Sequence, residues 1–140
     1  NTPELQQLLD YMNIKYLVDT TVTVEGKLVL VGRDDRTNAS RQPLAQIMSE
    51  VDHRLPIIVM DHQPSDLKDA QQCNADLQLS GHTHDGQFFP INLITRAIFE
   101  LSCGYKVKGH THYYVTSGLG LWGTPFRIGT RSEIVQITME

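Results

Sequence analysis

The residues best suited to chemistry in this chain are its histidines, and four of the six fall in two copies of one tetrapeptide, Gly-His-Thr-His, at 81–84 and 109–112. Neutral imidazole ligates zinc, iron and manganese-class ions. A glycine ahead of the pair lets the backbone turn sharply, and in extended chain a His-x-His spacing aims both rings to one side. The copies differ in what precedes them. Residues 77–79 run as a strand into His82 and His84, whereas no apolar run leads into His110 and His112, which are expected in an exposed hairpin turn. A third ring, His62, follows the apolar run Ile57-Ile58-Val59-Met60. His62, His82 and His84 are therefore the candidate metal ligands. His53, near a helix end, is expected to be structural.

Oxygen ligands are harder to find. A hydrolytic two-metal site needs bridging oxygens to hold its cations about 3.5–4 Å apart, and Asp34, Asp35, Asp61 and Asp85 lack the spacing of a recognised ligand pair. Strand alternation aims Asp61 away from His62. Asp85 either reaches the metals or is a solvated loop carboxylate, and Asp34-Asp35 either positions a ligand or makes a polar turn. The glycine-rich residues 117–123 are either a phosphate cradle of backbone amides or a plain loop. Arg33, Arg36, Arg127 and Arg131 are either substrate contacts or solvated charges.

These groups need a sheet to carry them. Thr2-Pro3-Glu4 suits the start of a helix whose apolar face is Leu5, Leu8, Leu9 and Met12. Residues 16–18, 21–24 and 27–31 read as strands, the last two joined at Glu25-Gly26. Leu44, Ile47, Met48 and Val51 recur at helical spacing, ending before Leu55-Pro56. The run at 57–60 reads as a strand buried on both faces, 65–74 as a capped helix and 75–79 as a second strand. Strand, helix, strand implies parallel pairing through a crossover, so His62 and the first tetrapeptide leave the sheet at one carboxyl-terminal edge, where open α/β sheets bind ligands. Residues 87–101 have no clear period. A hairpin at 105–108 and 113–116 and a last strand at 133–139 complete the chain.

A length of 140 residues fits one domain, 1–140, with a core of its own. Sixteen acidic against twelve basic residues, net −4, leave no basic face for nucleic acid. Cys73 and Cys103 lack CxxC spacing and are expected as free, half-buried thiols. No stretch reaches the roughly 20 apolar residues of a membrane span, and the first residues lack a signal peptide's pattern. The chain opens on Asn1 rather than methionine, which points to a piece of a longer polypeptide. That piece is expected to be soluble, with membrane association of its parent left open.

The order Val31-Gly32-x-Asp34-Asp35, then 57–64 ending in His62-Gln63-Pro64, then 76–87 with Gly81-His82-Thr83-His84-x-Gly86-Gln87, then Tyr114-Val115-x-Ser117-Gly118-Leu119-Gly120 with Gly123 and Arg127 resembles the carboxyl-terminal half of calcineurin-like metallophosphoesterases. The likeness covers nearly the whole chain and is strongest to the bacterial, often membrane-anchored phosphodiesterase branch. It implies part of a layered α/β/β/α sandwich with a mixed sheet, and two divalent cations of the Mn, Fe or Zn class activating water for in-line attack on a phosphoester. By position, His62 and His82 would ligate one cation and His84 the other.

The family's remaining motifs, Asp-x-His, Gly-Asp and Gly-Asn-His-Asp/Glu with the histidine that protonates the leaving group, do not occur here. The piece is therefore expected to hold one cation or none, to be catalytically silent without an amino-terminal half, and to self-associate through the sheet surface that half would cover. Asp85 stands where relatives carry glycine, and positive φ is tolerable for aspartate. The competing reading is a non-catalytic module, either a zinc-holding domain built on the three histidines or a plain interaction domain.

Overall fold

The computed structural model describes residues 3–139. Its centre is a six-stranded mixed sheet, as an α/β fold requires. Strands β1 (Thr20–Val24), β2 (Leu28–Gly32), β3 (Ile57–Met60), β4 (Leu77–Ser80), β5 (Gly104–Lys108) and β6 (Thr111–Val115) lie in the order β1-β2-β3-β4-β6-β5. The outer pairs β1–β2 and β5–β6 are antiparallel; β2, β3, β4 and β6 run parallel. Helices α1 (Pro3–Tyr11), α2 (Leu44–Ile47), α3 (Leu67–Gln72) and α4 (Ile91–Ile98) complete the described structure. The expected capping role of Thr2 falls outside the described residues.

Period-two alternation divides the sheet into two unlike faces. Val31, Val59, Gln78 and Tyr113 sit side by side in register, and with Val29 and Ile57 they form a core closed by Leu44, Met48, Leu67 and Ala70 of the α2 and α3 segments. Tyr113 is fully buried and donates its hydroxyl to the Leu67 carbonyl at 2.6 Å, which satisfies the one polar atom it brings inside. The opposite face carries Leu30, Ile58 and Leu77 in one row and Met60, Leu79 and Tyr114 in the next. Among the described residues, irregular chain at 15–17 lies over part of it. Leu17 presses on Gly32, where an added Cβ would stand 2.3 Å from the Leu17 Cβ. A shallow groove of about 410 Å³ remains between residues 15–17 and Met60 and Leu79.

Several expectations change. Residues 16–18 form no strand, because Leu17 crosses over Gly32 instead of pairing with a neighbour. The second helix stops at Ile47. Val51 then donates to Met48 in an i to i+3 turn, so the apolar spacing still delivers Met48 to the core without a continued helix. Helix α3 begins at Leu67, and the Asp66 side chain makes no capping hydrogen bond. The hairpin spans 104–115, two residues tighter than its sequence suggests. Residues 133–139 alternate like a strand yet pair with none among the described residues, and Ile134 is left 83% exposed. Residues 87–101, without a clear period in sequence, contain α4.

Candidate metal centre

Strands β3 and β4 end at the same edge, and the chain beyond them stays paired. Asp61 donates its amide to the Leu79 carbonyl at 3.1 Å and Gly81 donates to the His62 carbonyl at 3.0 Å. These two bonds hold the strand ends in step, so His62 Nε2 and His82 Nδ1 come within 3.3 Å of each other. The two rings meet edge to face, with centroids 5.1 Å apart. His84 faces the same cavity, together with Asp35, Thr37 and Gln63. The three sequence candidates are thus brought to one rim.

The route differs from the expected one. Gly81 has ordinary backbone, and a Cβ there would meet only Thr116 Cγ2 at 3.7 Å. The left-handed residues are the histidines themselves, His82 at φ 69° and His84 at φ 50°, followed by Asp85, Gly86 and Gln87. Such backbone is rare outside glycine and persists only where surroundings enforce it. Here they do. Thr83 donates its hydroxyl to the Ser102 carbonyl at 2.5 Å. Arg127 donates to the carbonyls of His84 at 3.1 Å, Ser117 at 2.8 Å and Gly120 at 2.8 Å, and its Nη2 lies 3.2 Å from His84 Nδ1. Gly86 is pressed so closely on α4 that a Cβ would stand 2.3 Å from the Asn92 nitrogen.

Electrostatics suit a cation ligand. Burial first, then neighbouring His62, keeps the His82 imidazole below its ordinary pKa. Burial and then the Arg127 guanidinium do the same for His84. Both rings therefore stay neutral at pH 7, the form that ligates. Asp35 accepts the Thr37 hydroxyl at 2.6 Å and the Thr37 amide at 2.8 Å, with Gln63 Nε2 at 3.3 Å from its nearer oxygen. Thr37 chiefly holds its carboxyl down to about 2, so the cavity keeps one fixed negative charge.

Do these donors fit a metal? Two imidazole nitrogens each about 2.0–2.1 Å from a tetrahedral ion stand roughly 3.3–3.4 Å apart, which is the separation of His62 and His82. Without an ion the same contact is a weak hydrogen bond between the rings. Among the described residues no three His, Cys, Asp or Glu side chains converge closely enough to hold an ion by themselves. The rim thus fits half a ligand set: one imidazole pair, with His84 set apart on the same wall.

The other carboxylates are committed elsewhere. Asp61 is buried and bridges Arg33, at 3.3 Å, and Arg41, while its other oxygen accepts the Gln63 amide at 3.3 Å. Neither Arg33 nor Arg127 is a solvated charge: the first balances Asp61 and the second ties the glycine-rich loop to His84. Asp85 is half-buried and pairs with Arg96 at 3.5 Å, so it is neither solvated nor part of the histidine cluster. Asp34 serves the turn, accepting the Asp35 amide at 2.7 Å. The loop at 117–123 presents carbonyls to Arg127, and the Ser117 amide is spent on Glu133 at 3.0 Å.

His110 and His112 lie elsewhere. His112 pairs with Leu77 at the start of β4, at the far edge of the sheet from Ser80, and its ring contacts the Tyr105 hydroxyl. Cys73 and Cys103 are free and half-buried as expected.

Sequence reasoning missed the Arg33–Asp61–Arg41 cluster and the apolar wall of the cavity, built from Phe88, Ile91, Phe99 and Trp122. The i, i+3, i+4 spacing of Ile91, Ile94 and Thr95 was the available signal for the helix behind that wall.

Comparison with known proteins points one way. The chain is 46% identical over 88 residues to a "transmembrane protein with metallophosphoesterase domain" of Danio rerio, covering 61% of the chain and 20% of that protein. It is 36% identical over 120 residues to an uncharacterized metallophosphoesterase of Helicobacter pylori J99, covering 81% of the chain and 32% of the relative. A homologue from H. pylori 26695 is 34% identical over 137 residues, 94% of the chain and 37% of the relative. The chain thus spans between a fifth and somewhat over a third of these relatives, and matches their carboxyl-terminal part. No family model and no solved structure matches it.

Proposed function

The chain belongs to the metallophosphoesterase family, and from that premise we propose that it forms the carboxyl-terminal part of a two-cation phosphoester hydrolase. His62 and His82 would hold one divalent cation and His84 the other; when bound, the cations supply positive charge that activates a water and draws electron density from the phosphoryl oxygens. The supporting observation is the 3.3 Å approach of His62 Nε2 to His82 Nδ1, with His84 on the same cavity. Arg127 and Thr83 keep the ligand loop in its left-handed form. Asp35 remains ionised on the same cavity.

Further oxygen ligands and the group that protonates the leaving oxygen belong, in this reading, to parts of the parent outside the chain. The same amino-terminal part covers the sheet face bearing Leu30, Met60 and Leu79, and in its absence copies of the chain associate through that face. The name of the zebrafish relative places that protein in a membrane. No helix of the described residues is long and apolar enough to cross one. A single-zinc module is disfavoured, since it needs three converging side chains and only two come together.

The test is hydrolysis of bis-p-nitrophenyl phosphate with Mn²⁺. The parent, including its upstream sequence, turns the diester over. His82→Ala abolishes that activity, and the 140-residue chain alone is silent. Turnover by the chain alone, or one tightly held zinc per chain that added upstream sequence leaves unchanged, overturns the reading.

A further inference from the structure

We propose that the substrate is an amphiphile: a phosphoester whose apolar ester group, alkyl in kind, lies in the cavity beside the imidazoles. The proposal rests on the reading of His62, His82 and His84 as the phosphoryl end. The cavity measures about 730 Å³ and is lined by two chemically distinct sets of side chains, the histidines with Asp35 and Gln63, and Phe88, Ile91, Phe99 and Trp122. Pockets of this size enclose a drug-sized ligand rather than a bare phosphate.

The two sets touch. The Phe99 ring stands edge to face against His82, with centroids 6.3 Å apart. A group esterified to a phosphoryl held by the imidazoles therefore begins directly against apolar surface. No lysine or arginine among the described residues lines the cavity, and its one carboxylate is ionised. Beyond the proposed cations, a second phosphate, as in a pyrophosphate or an oligonucleotide, would meet the Asp35 carboxylate with no lining lysine or arginine to offset it; the Arg127 guanidinium, 3.2 Å from His84 Nδ1, is engaged by the carbonyls of His84, Ser117 and Gly120. A hydrocarbon chain loses nothing by that lack.

The apolar surface also continues outward. Ile94 (51% exposed) and Ile98 (68%) lie on α4, and Trp122 (72%) sits at the cavity wall. Helix α4 buries no residue, and its main element contact is the turn at His84–Gly86. Large apolar side chains clustered at a site's edge signal a ligand or surface that covers them. A long alkyl chain leaving the cavity would meet them in sequence.

Trp122 is the only tryptophan in the chain, so its fluorescence reports on this wall. The experiment titrates the 140-residue chain with butyl and octyl phosphonate below their micellar concentrations, with Mn²⁺ and with EDTA, and with adenosine 5′-monophosphate as the rival ligand. Octyl phosphonate should bind at least about tenfold more tightly than butyl, the gain expected from burying two methylenes. Phe99→Ala and, independently, Ile91→Ser should erase that ratio while circular dichroism stays unchanged.

A ratio near one, or adenosine monophosphate binding as tightly as the octyl compound, overturns the proposal. If the ratio is one while Mn²⁺ strengthens both phosphonates equally, the apolar subsite falls and the metal reading stands. If the ratio holds, the subsite stands; the metal reading falls if Mn²⁺ then strengthens neither phosphonate in the parent with its upstream sequence, since the chain alone presents only half a ligand set.

Discussion

The same four residues, Gly-His-Thr-His, fold in opposite ways at the two places where they occur. At 109–112 the glycine carries the left-handed turn, at φ 62°, and the second histidine lies in a regular strand. Positive φ confined to the first of two central residues is what a type II′ hairpin asks for, and glycine supplies it at no steric cost. At 81–84 the glycine is ordinary and both histidines are left-handed. The tetrapeptide itself cannot account for the difference, because it is identical. What differs is the tertiary setting: one copy closes a hairpin at a sheet edge, and the other is gripped by Arg127, the Ser102 carbonyl and the backbone of α4. Strain held in place at a strand end accords with the metal role proposed for this copy.

The comparison is most directly broken at the imidazoles. In the intact parent, His82→Ala or His84→Ala should weaken metal binding by more than about a hundredfold, beyond what loss of an outer-shell partner costs. The double change at His110 and His112 should leave it unaltered, as metal analysis after dialysis would reveal. Equal losses from both copies would erase the distinction.

A second contrast lies beneath the rings. Under the first copy's neighbour His62 sits a buried ion cluster, so Asp61→Asn, which strips Arg41 of its carboxylate and leaves Arg33 only Asp69 at 3.5 Å, should cost about 3–5 kcal/mol in urea denaturation. Under the second copy the Tyr105–His112 contact is exposed, and Tyr105→Phe should stay within about 0.5 kcal/mol. The smallest effect separates the glycines. Gly109→Ala forces a side chain into left-handed backbone and should cost about 1–2 kcal/mol, whereas Gly81→Ala has room and should shift the midpoint by less than about 0.5 kcal/mol. The reverse order would mean that the backbone assignments of the two copies are exchanged.

Legibility in the sequence follows the same division between local and non-local causes. The run Ile57–Met60 is apolar at every position, and a strand, helix and strand in succession can bring His62 and His82 to one edge only through parallel pairing. The rim was therefore readable. Its conformation was not, because the left-handed form of His82 and His84 is imposed by Arg127, 43 residues further along from His84. The Asp61 cluster was hidden for a like reason: its partners Arg33 and Arg41 stand 28 and 20 residues away. Residues 133–139 mislead in the other direction. Their alternation is that of a strand, but alternation creates only the capacity to pair, and the described residues offer no free edge that they use.

The contact between Gly86 and the first turn of α4 has a mechanical corollary. With backbone resting on backbone and no side chain between as a cushion, a ligand that levers the helix outward must drag the turn bearing His84 with it. Under the proposed function, in which His84 is a metal ligand, a guest on the apolar wall would thus be felt at the ring's aim.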